Sequence, residues 1–123
     1  MIASMACVEA FSNPTEDKEK VLKAIKTLTD VVPEEKKNKS RFGGDLIVLR
    51  ACMKQEEDIM ELIKKLRGLD INFKAHTDKR VFNIMLNKQR AFLGEIVPGR
   101  GLKVTIRFSK EAFKQGFIDK LSD

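Results

Sequence analysis

Between Leu102 and Phe108 apolar and polar residues alternate without a break, with Leu102, Val104, Ile106 and Phe108 set against Lys103, Thr105 and Arg107. A period of two marks a strand that buries one face and wets the other. Such a strand requires a sheet, and the sheet requires helices over its apolar side only.

A second alternating run, Val81 to Asn87, turns Phe82, Ile84 and Leu86 one way and Asn83 and Asn87 the other. Asn87-Lys88-Gln89-Arg90 reads as a tight turn and Ala91 to Val97 as the partner strand, in which Gly94 marks a bulge or a close backbone approach. Pro98-Gly99-Arg100-Gly101 supplies the turn into the next strand. Near the start, Ser4 to Phe11 reads as a strand with Met5, Cys7, Glu9 and Phe11 on one face and Ala6, Val8 and Ala10 on the other, small enough for a helix to pack closely. Leu46 to Met53 is almost continuously apolar, broken by Arg50, which suits a central strand.

Two helices stand between these strands. Asn13-Pro14-Thr15-Glu16 has the chemistry of a helix start, with Asn as cap and Pro at the first helical position, and Val21, Ala24, Ile25, Leu28 and Val32 follow at helical spacing. The second runs from about Gln55 to Arg67 on a stripe of Ile59, Leu62, Ile63 and Leu66, and Gly68 stops it. Ser109 caps a short last helix carrying Ala112, Phe113, Phe117 and Leu121. The order β-α-β-α-β-β-β-α predicts an α+β fold, a mixed β-sheet with helices packed on one face, in a single domain over 1–123. The stretch 33–45, rich in charge and ending in Gly43-Gly44, reads as a basic flexible loop.

Charge is segregated. Residues 79 to 108 hold seven basic side chains against one acidic, an excess equal to the net +6 of the whole chain, so the remainder is balanced. Alternation puts Lys103 and Arg107 on the wet face, with Lys88, Arg90 and Arg100 in or beside turns. A rigid sheet that spaces its cations in this way suits a phosphate backbone. The common single-strand RNA sheet exposes aromatics beside its basic residues. Here Tyr and Trp are absent, and Phe82, Phe92 and Phe108 fall in core patterns. Phe42 and Phe73, in less regular surroundings, are left as the stacking candidates.

Catalysis finds little support. The one histidine, His76, sits in a polar stretch, no nucleotide-binding glycine loop is present, and Asp45, Asp58, Asp70 and Asp78 are dispersed. Cys7 and Cys52 read as buried thiols rather than as a disulfide, and two cysteines with one histidine make a poor zinc site. No metal, cofactor or enzymatic activity is therefore expected. Met1 to Ser4 lacks the basic start of a signal peptide, and no apolar run approaches a membrane span, so a cytoplasmic location is expected.

The segment Phe82 to Ile96 resembles the signature of a small archaeal family of predicted RNA-binding proteins: a strand, the polar-Lys-Gln turn Asn87-Lys88-Gln89, then Ala91-Phe92-Leu93-Gly94-Glu95. Val8 to Phe11 with Thr15 to Leu22, and Asp45 to Leu49, look like the same family's first strand, first helix and second strand. The resemblance implies a double-stranded-RNA-binding-like fold similar to the large-subunit ribosomal protein that contacts 5S rRNA, and a label of exosome association. This chain departs from the pattern before the second strand, where a Gly-His-aromatic-Gly-Asn stretch is reduced to Arg41-Phe42-Gly43-Gly44-Asp45.

The expected function is non-catalytic binding of structured RNA through phosphate and shape contacts, in RNA processing or ribosome-related assembly. The site residues expected are Lys88, Gln89, Arg90, Arg100, Lys103, Arg107 and Arg41. The partners are RNA and exosome or ribosomal components, and pairing of two copies through a sheet edge is open. The alternative is a protein-interaction subunit of an RNA-processing complex without strong RNA binding of its own.

Overall fold

The computed structural model describes residues 2–13, 15–39, 44–69 and 71–116. Strands β1 (Ala3–Ser12), β2 (Glu34–Lys39), β3 (Asp45–Met53), β4 (Thr77–Asp78), β5 (Val81–Asn87) and β6 (Gly101–Phe108) form one sheet in the order β2-β3-β1-β6-β5-β4. Helices α1 (Lys18–Leu28), α2 (Glu56–Arg67), α3 (Lys88–Phe92) and α4 (Lys110–Lys114) complete the α+β architecture.

Register fixes the covered face. Met53, Ala6, Ile106 and Phe82 lie in one row across the sheet, Ala51, Val8, Val104 and Ile84 in the next, and Leu49, Ala10, Leu102 and Leu86 in a third. All of them join one buried cluster with Val21, Ala24, Ile25 and Leu28 of α1 and Ile59, Leu62, Ile63 and Leu66 of α2. Ala6, Val8 and Ala10 keep β1 low enough for both helices to come close, as their size predicts. The Lys65 ammonium of α2 reaches the carbonyls of Thr27 and Leu28 at the end of α1, at 3.2 and 3.4 Å. It thereby satisfies acceptors that the helix itself leaves unpaired.

Several expectations are corrected. Every strand pairing is antiparallel, so the sheet is not mixed. Residues 34–39 are not loop: they form β2, which pairs with β3 and reverses the chain so that β3 returns antiparallel beside β1. All six β2 side chains are exposed, so no apolar alternation announced the strand. Helix α1 begins later than expected, with Asp17 as cap accepting from the Glu19 N–H. Asn13 instead bonds the Glu16 carboxylate, and Val32, beyond the helix end, is 84% exposed.

Ala91 to Val97 is not a hairpin strand. Asn87 accepts from the Arg90 N–H and caps α3, and Gly94, at φ 87°, follows the helix end. Phe73, proposed for stacking, is fully buried and stacks on Phe82 at 4.9 Å between centroids. Cys7 and Cys52 are direct cross-strand partners on the open face and form a disulfide rather than two thiols. Arg41, Phe42, Phe117 and Leu121 lie outside the described residues.

Candidate nucleic-acid interface

The face of the sheet opposite the core belongs to the polar half of each alternating strand. One row runs Glu34, Arg50, Glu9, Lys103, Met85, from β2 to β5. Its charges alternate in sign, so Glu9 stands between two cations and offsets them locally. The Arg50 Nε lies 3.9 Å from the Glu9 carboxylate, a long contact between half-exposed groups that contributes little to stability. The next row is the disulfide, Thr105 and Asn83, where the Thr105 hydroxyl donates to Asn83 Oδ1 at 2.9 Å. The third carries Met5, Arg107, Val81 and, on β4, Asp78.

Arg107 stands between uncharged Met5 and Val81, and the acid of its row, Asp78, lies two strands away. Neither Lys103 nor Arg107 forms an ion pair among the described residues. The two are four residues apart on one strand, hence about 13 Å along it. The β5–β6 register adds further cations at the Arg107 end. The Phe108 N–H donates to the Arg80 carbonyl at 2.8 Å, which brings the Asp78-Lys79-Arg80 turn against the end of β6, where Lys110 opens α4. Sequence reasoning counted Lys79 and Arg80 in the basic excess without assigning them to the site. The pairing register of the two alternating strands was the signal that joins them to Arg107. At the other end of β6, Arg100 is exposed and its carbonyl accepts from the Lys88 N–H at 3.0 Å.

The remaining site residues diverge from this surface. Lys88 turns inward: its ammonium bonds the Phe11 carbonyl at 2.9 Å and the two Glu16 carboxylate oxygens at 2.9 and 2.8 Å, and only 14% of its side chain is exposed. Burial pushes the Glu16 carboxyl up. The Lys88 hydrogen bond and charge, with the Asn13 N–H and side-chain amide, more than offset that and hold it below the usual 4.5. Arg90, on α3, pairs with Glu95 at 3.1 Å in the open. Gln89 is exposed beside the start of α1, where Lys20 and Lys23 stand 5.4 and 5.6 Å from the Phe92 ring. The seven expected residues thus divide: Lys103 and Arg107 share the open face, Arg100 flanks it, Gln89 and Arg90 lie on the short helix, Lys88 is internal, and Arg41 is outside the described residues.

His76 is exposed and lines a cleft of about 380 Å³ with Asn83, Ile84, Met85, Pro98, Gly99 and Lys103. None of these is a carboxylate. Among the described residues, no group of three or more His, Cys, Asp or Glu is placed to hold a metal ion, and no helix is long and apolar enough to cross a membrane.

Known proteins share this chain's pattern. A family model described as RNA binding matches residues 6–109. The protein named RNA-binding protein PAB1135, from Pyrococcus abyssi, is 32% identical over 124 residues, covering 86% of this chain and 80% of that protein. A solved DUF54 protein from Methanothermobacter thermautotrophicus superposes with a TM-score of 0.82 at 20% identity over the whole of both chains. A DUF54 crystal structure from Sulfolobus solfataricus does so at 0.73 and 18% identity, over 96% of each. These two likenesses speak for the fold, whereas the family match spans most of the sequence. The chain belongs to the RNA-binding family.

Proposed function

We propose that this protein binds structured RNA without chemistry of its own, by laying the open face of its sheet against the phosphate backbone. The single observation that carries the reading is the pair Lys103 and Arg107, which stand on the uncovered face of a rigid strand and form no ion pair among the described residues. Arg100 extends the track at one end of β6, and Lys79, Arg80 and Lys110 extend it at the other. Because the strand already fixes the backbone, binding orders only the side chain of such a cation, so more of its attraction for a phosphate appears as affinity than on a flexible loop. Few aromatic rings are available on this face, which favours contacts to backbone and shape over stacking along a single strand. A place in RNA processing or ribosome-related assembly is the wider role that such a binder fits.

Titrating the protein with a fluorescent RNA hairpin at several salt concentrations tests the reading. The logarithm of affinity should fall linearly with the logarithm of salt, and Lys103→Ala with Arg107→Ala should reduce that slope by about 1 for each phosphate left without its cation. Both side chains are exposed, so the variants should melt like the parent. An interaction that is absent, or that ignores salt, overturns the reading and favours a role as a protein-binding subunit.

A further inference from the structure

The outer edge of β5 is covered in two places and bare in between. On one side the Asn83 N–H donates to the His76 carbonyl at 3.0 Å, where β4 and its approach run along β5. On the other, a strap from Val97 to Gly99 takes over: the Asn87 N–H donates to Val97 at 2.9 Å and the Gly99 N–H to Met85 at 3.0 Å, making the Leu86–Pro98 bridge. The bonds from Phe108 to Arg80 and from Lys88 to Arg100 show that the even-numbered residues of β5 turn their peptide groups to β6. The odd-numbered ones therefore turn theirs outward. Between the two covers this leaves the Asn83 carbonyl and the Met85 N–H facing the cleft, with no hydrogen-bond partner among the described residues.

We propose that this cleft takes an unpaired nucleobase of the bound RNA, a bulged or looped-out residue, edge-on against β5. The proposal rests on the phosphate-binding reading of the sheet and names the feature of the RNA that this part of the surface selects. A carbonyl and an N–H two residues apart on one strand edge offer an acceptor beside a donor. Each base carries a donor beside an acceptor on its Watson–Crick edge. In a duplex those groups are occupied, so only an unpaired base can bond here. The device reads the absence of pairing rather than the identity of the base. A strand from a protein partner has no place to pair, because one acceptor and one donor are all that the two covers leave.

The walls fit the same ligand. Met85, 45% exposed, and the exposed His76 imidazole supply flat or polarizable surface for the faces of a base. Thr105 donates to Asn83 Oδ1, so the Asn83 amide nitrogen keeps its protons for base acceptors. Lys103, an exposed residue of the basic face, also lines the cleft and can hold the phosphate of the same nucleotide. Gly99 keeps the strap tight against β5, since a Cβ there would fall 2.6 Å from the Asn87 Cβ.

The test compares a fully paired RNA hairpin with the same hairpin carrying one bulged 2-aminopurine. Wild-type protein should bind the bulged form on the order of tenfold more tightly, the size of one stacked base, and should change the 2-aminopurine fluorescence. The double variant His76→Ala, Met85→Ala should bind both hairpins as wild type binds the paired one, with its melting temperature kept. Equal, salt-dependent affinity for the two hairpins without a fluorescence change overturns the cleft assignment and leaves phosphate binding standing. Failure to bind either hairpin overturns both. Adenosine monophosphate alone, followed by the Met85 amide resonance, supplies the last arm: saturation by the free nucleotide below the concentration at which bulged RNA binds would reassign the cleft to a small molecule.

Discussion

Replacing Lys88 by Met separates a residue that holds the fold from one that holds RNA. In the folded chain the Lys88 ammonium bonds the Phe11 carbonyl and both arms of the Glu16 carboxylate, and the two side chains are 14% and 23% exposed. Fully exposed pairs contribute about 0–1 kcal/mol, and breaking a fully buried one costs about 3–5. A pair at this depth lies between, at about 2 kcal/mol, which at this chain length lowers the melting temperature by about 8 °C. Met keeps the aliphatic stem that lies over Gly101, so the loss reports the charge and its bonds. Thermal melts of the two proteins, followed by circular dichroism from pH 7 to pH 3, provide the assay. Glu16 is held below 4.5 when folded, so on acidification the unfolded chain takes up the proton first. The stabilisation is therefore complete above about pH 4.5 and lost as pH falls through the lowered folded value, and the gap between the proteins should close on the acid side. RNA affinity of the folded variant should hold to within about twofold. An unchanged melting temperature together with a salt slope reduced by about 1 would refute the argument and return Lys88 to the RNA surface.

Two further substitutions test how the site is supported. Converting Cys7 and Cys52 to Ala opens the loop that the disulfide closes across a separation of 45 residues. By chain entropy that costs up to about 4 kcal/mol, read by urea unfolding, and a thiol titration of native protein without reductant should find neither cysteine reactive. Asn87→Ala removes the cap of α3 and should cost about 1 kcal/mol, with the strap and cleft loosened, measured as faster amide exchange at Gly99.

What the sequence made legible is what alternation and helical spacing encode within one element. The inward faces of β1, β5 and β6 and the apolar stripes of α1 and α2 follow from side chains only a few positions apart, and the residues named for them are the buried ones, apart from Val32. The misses are of another kind. Strand β2 is polar on both faces and exists because β3 offers it an edge. The disulfide depends on the β1–β3 register, and the Lys88–Glu16 pair spans 72 residues, so neither follows from local pattern. Phe73 has no periodic context, yet it is buried by stacking on a strand that arrives later in the chain. The charge argument located the half of the molecule where the basic excess lies but could not separate a lysine on a strand face from one turned inward.

The segment that carries the family likeness, Asn87 to Glu95, emerges mainly as a device for shaping the sheet's far edge. Asn87 caps α3, Lys88 anchors its start to Glu16 and Phe11, and the Thr27 hydroxyl of α1 donates to the Ala91 carbonyl at 2.6 Å. Past the helix, Gly94 takes a left-handed turn, and the Glu95 N–H returns to the Arg90 carbonyl at 2.9 Å. Each bond narrows where the chain can go next, which is along β5 as the strap from Val97 to Gly99. Gly101, at φ 102° and pressed by the Lys88 stem, then releases the chain into β6. A plain hairpin would put its second strand along β5 at once and leave neither strap nor cleft. By carrying the connection over α1 first, the short helix leaves the Asn83 and Met85 peptide groups bare beside Lys103. The residues that look most like a binding signature thus shape the edge of the sheet and the wall of its cleft.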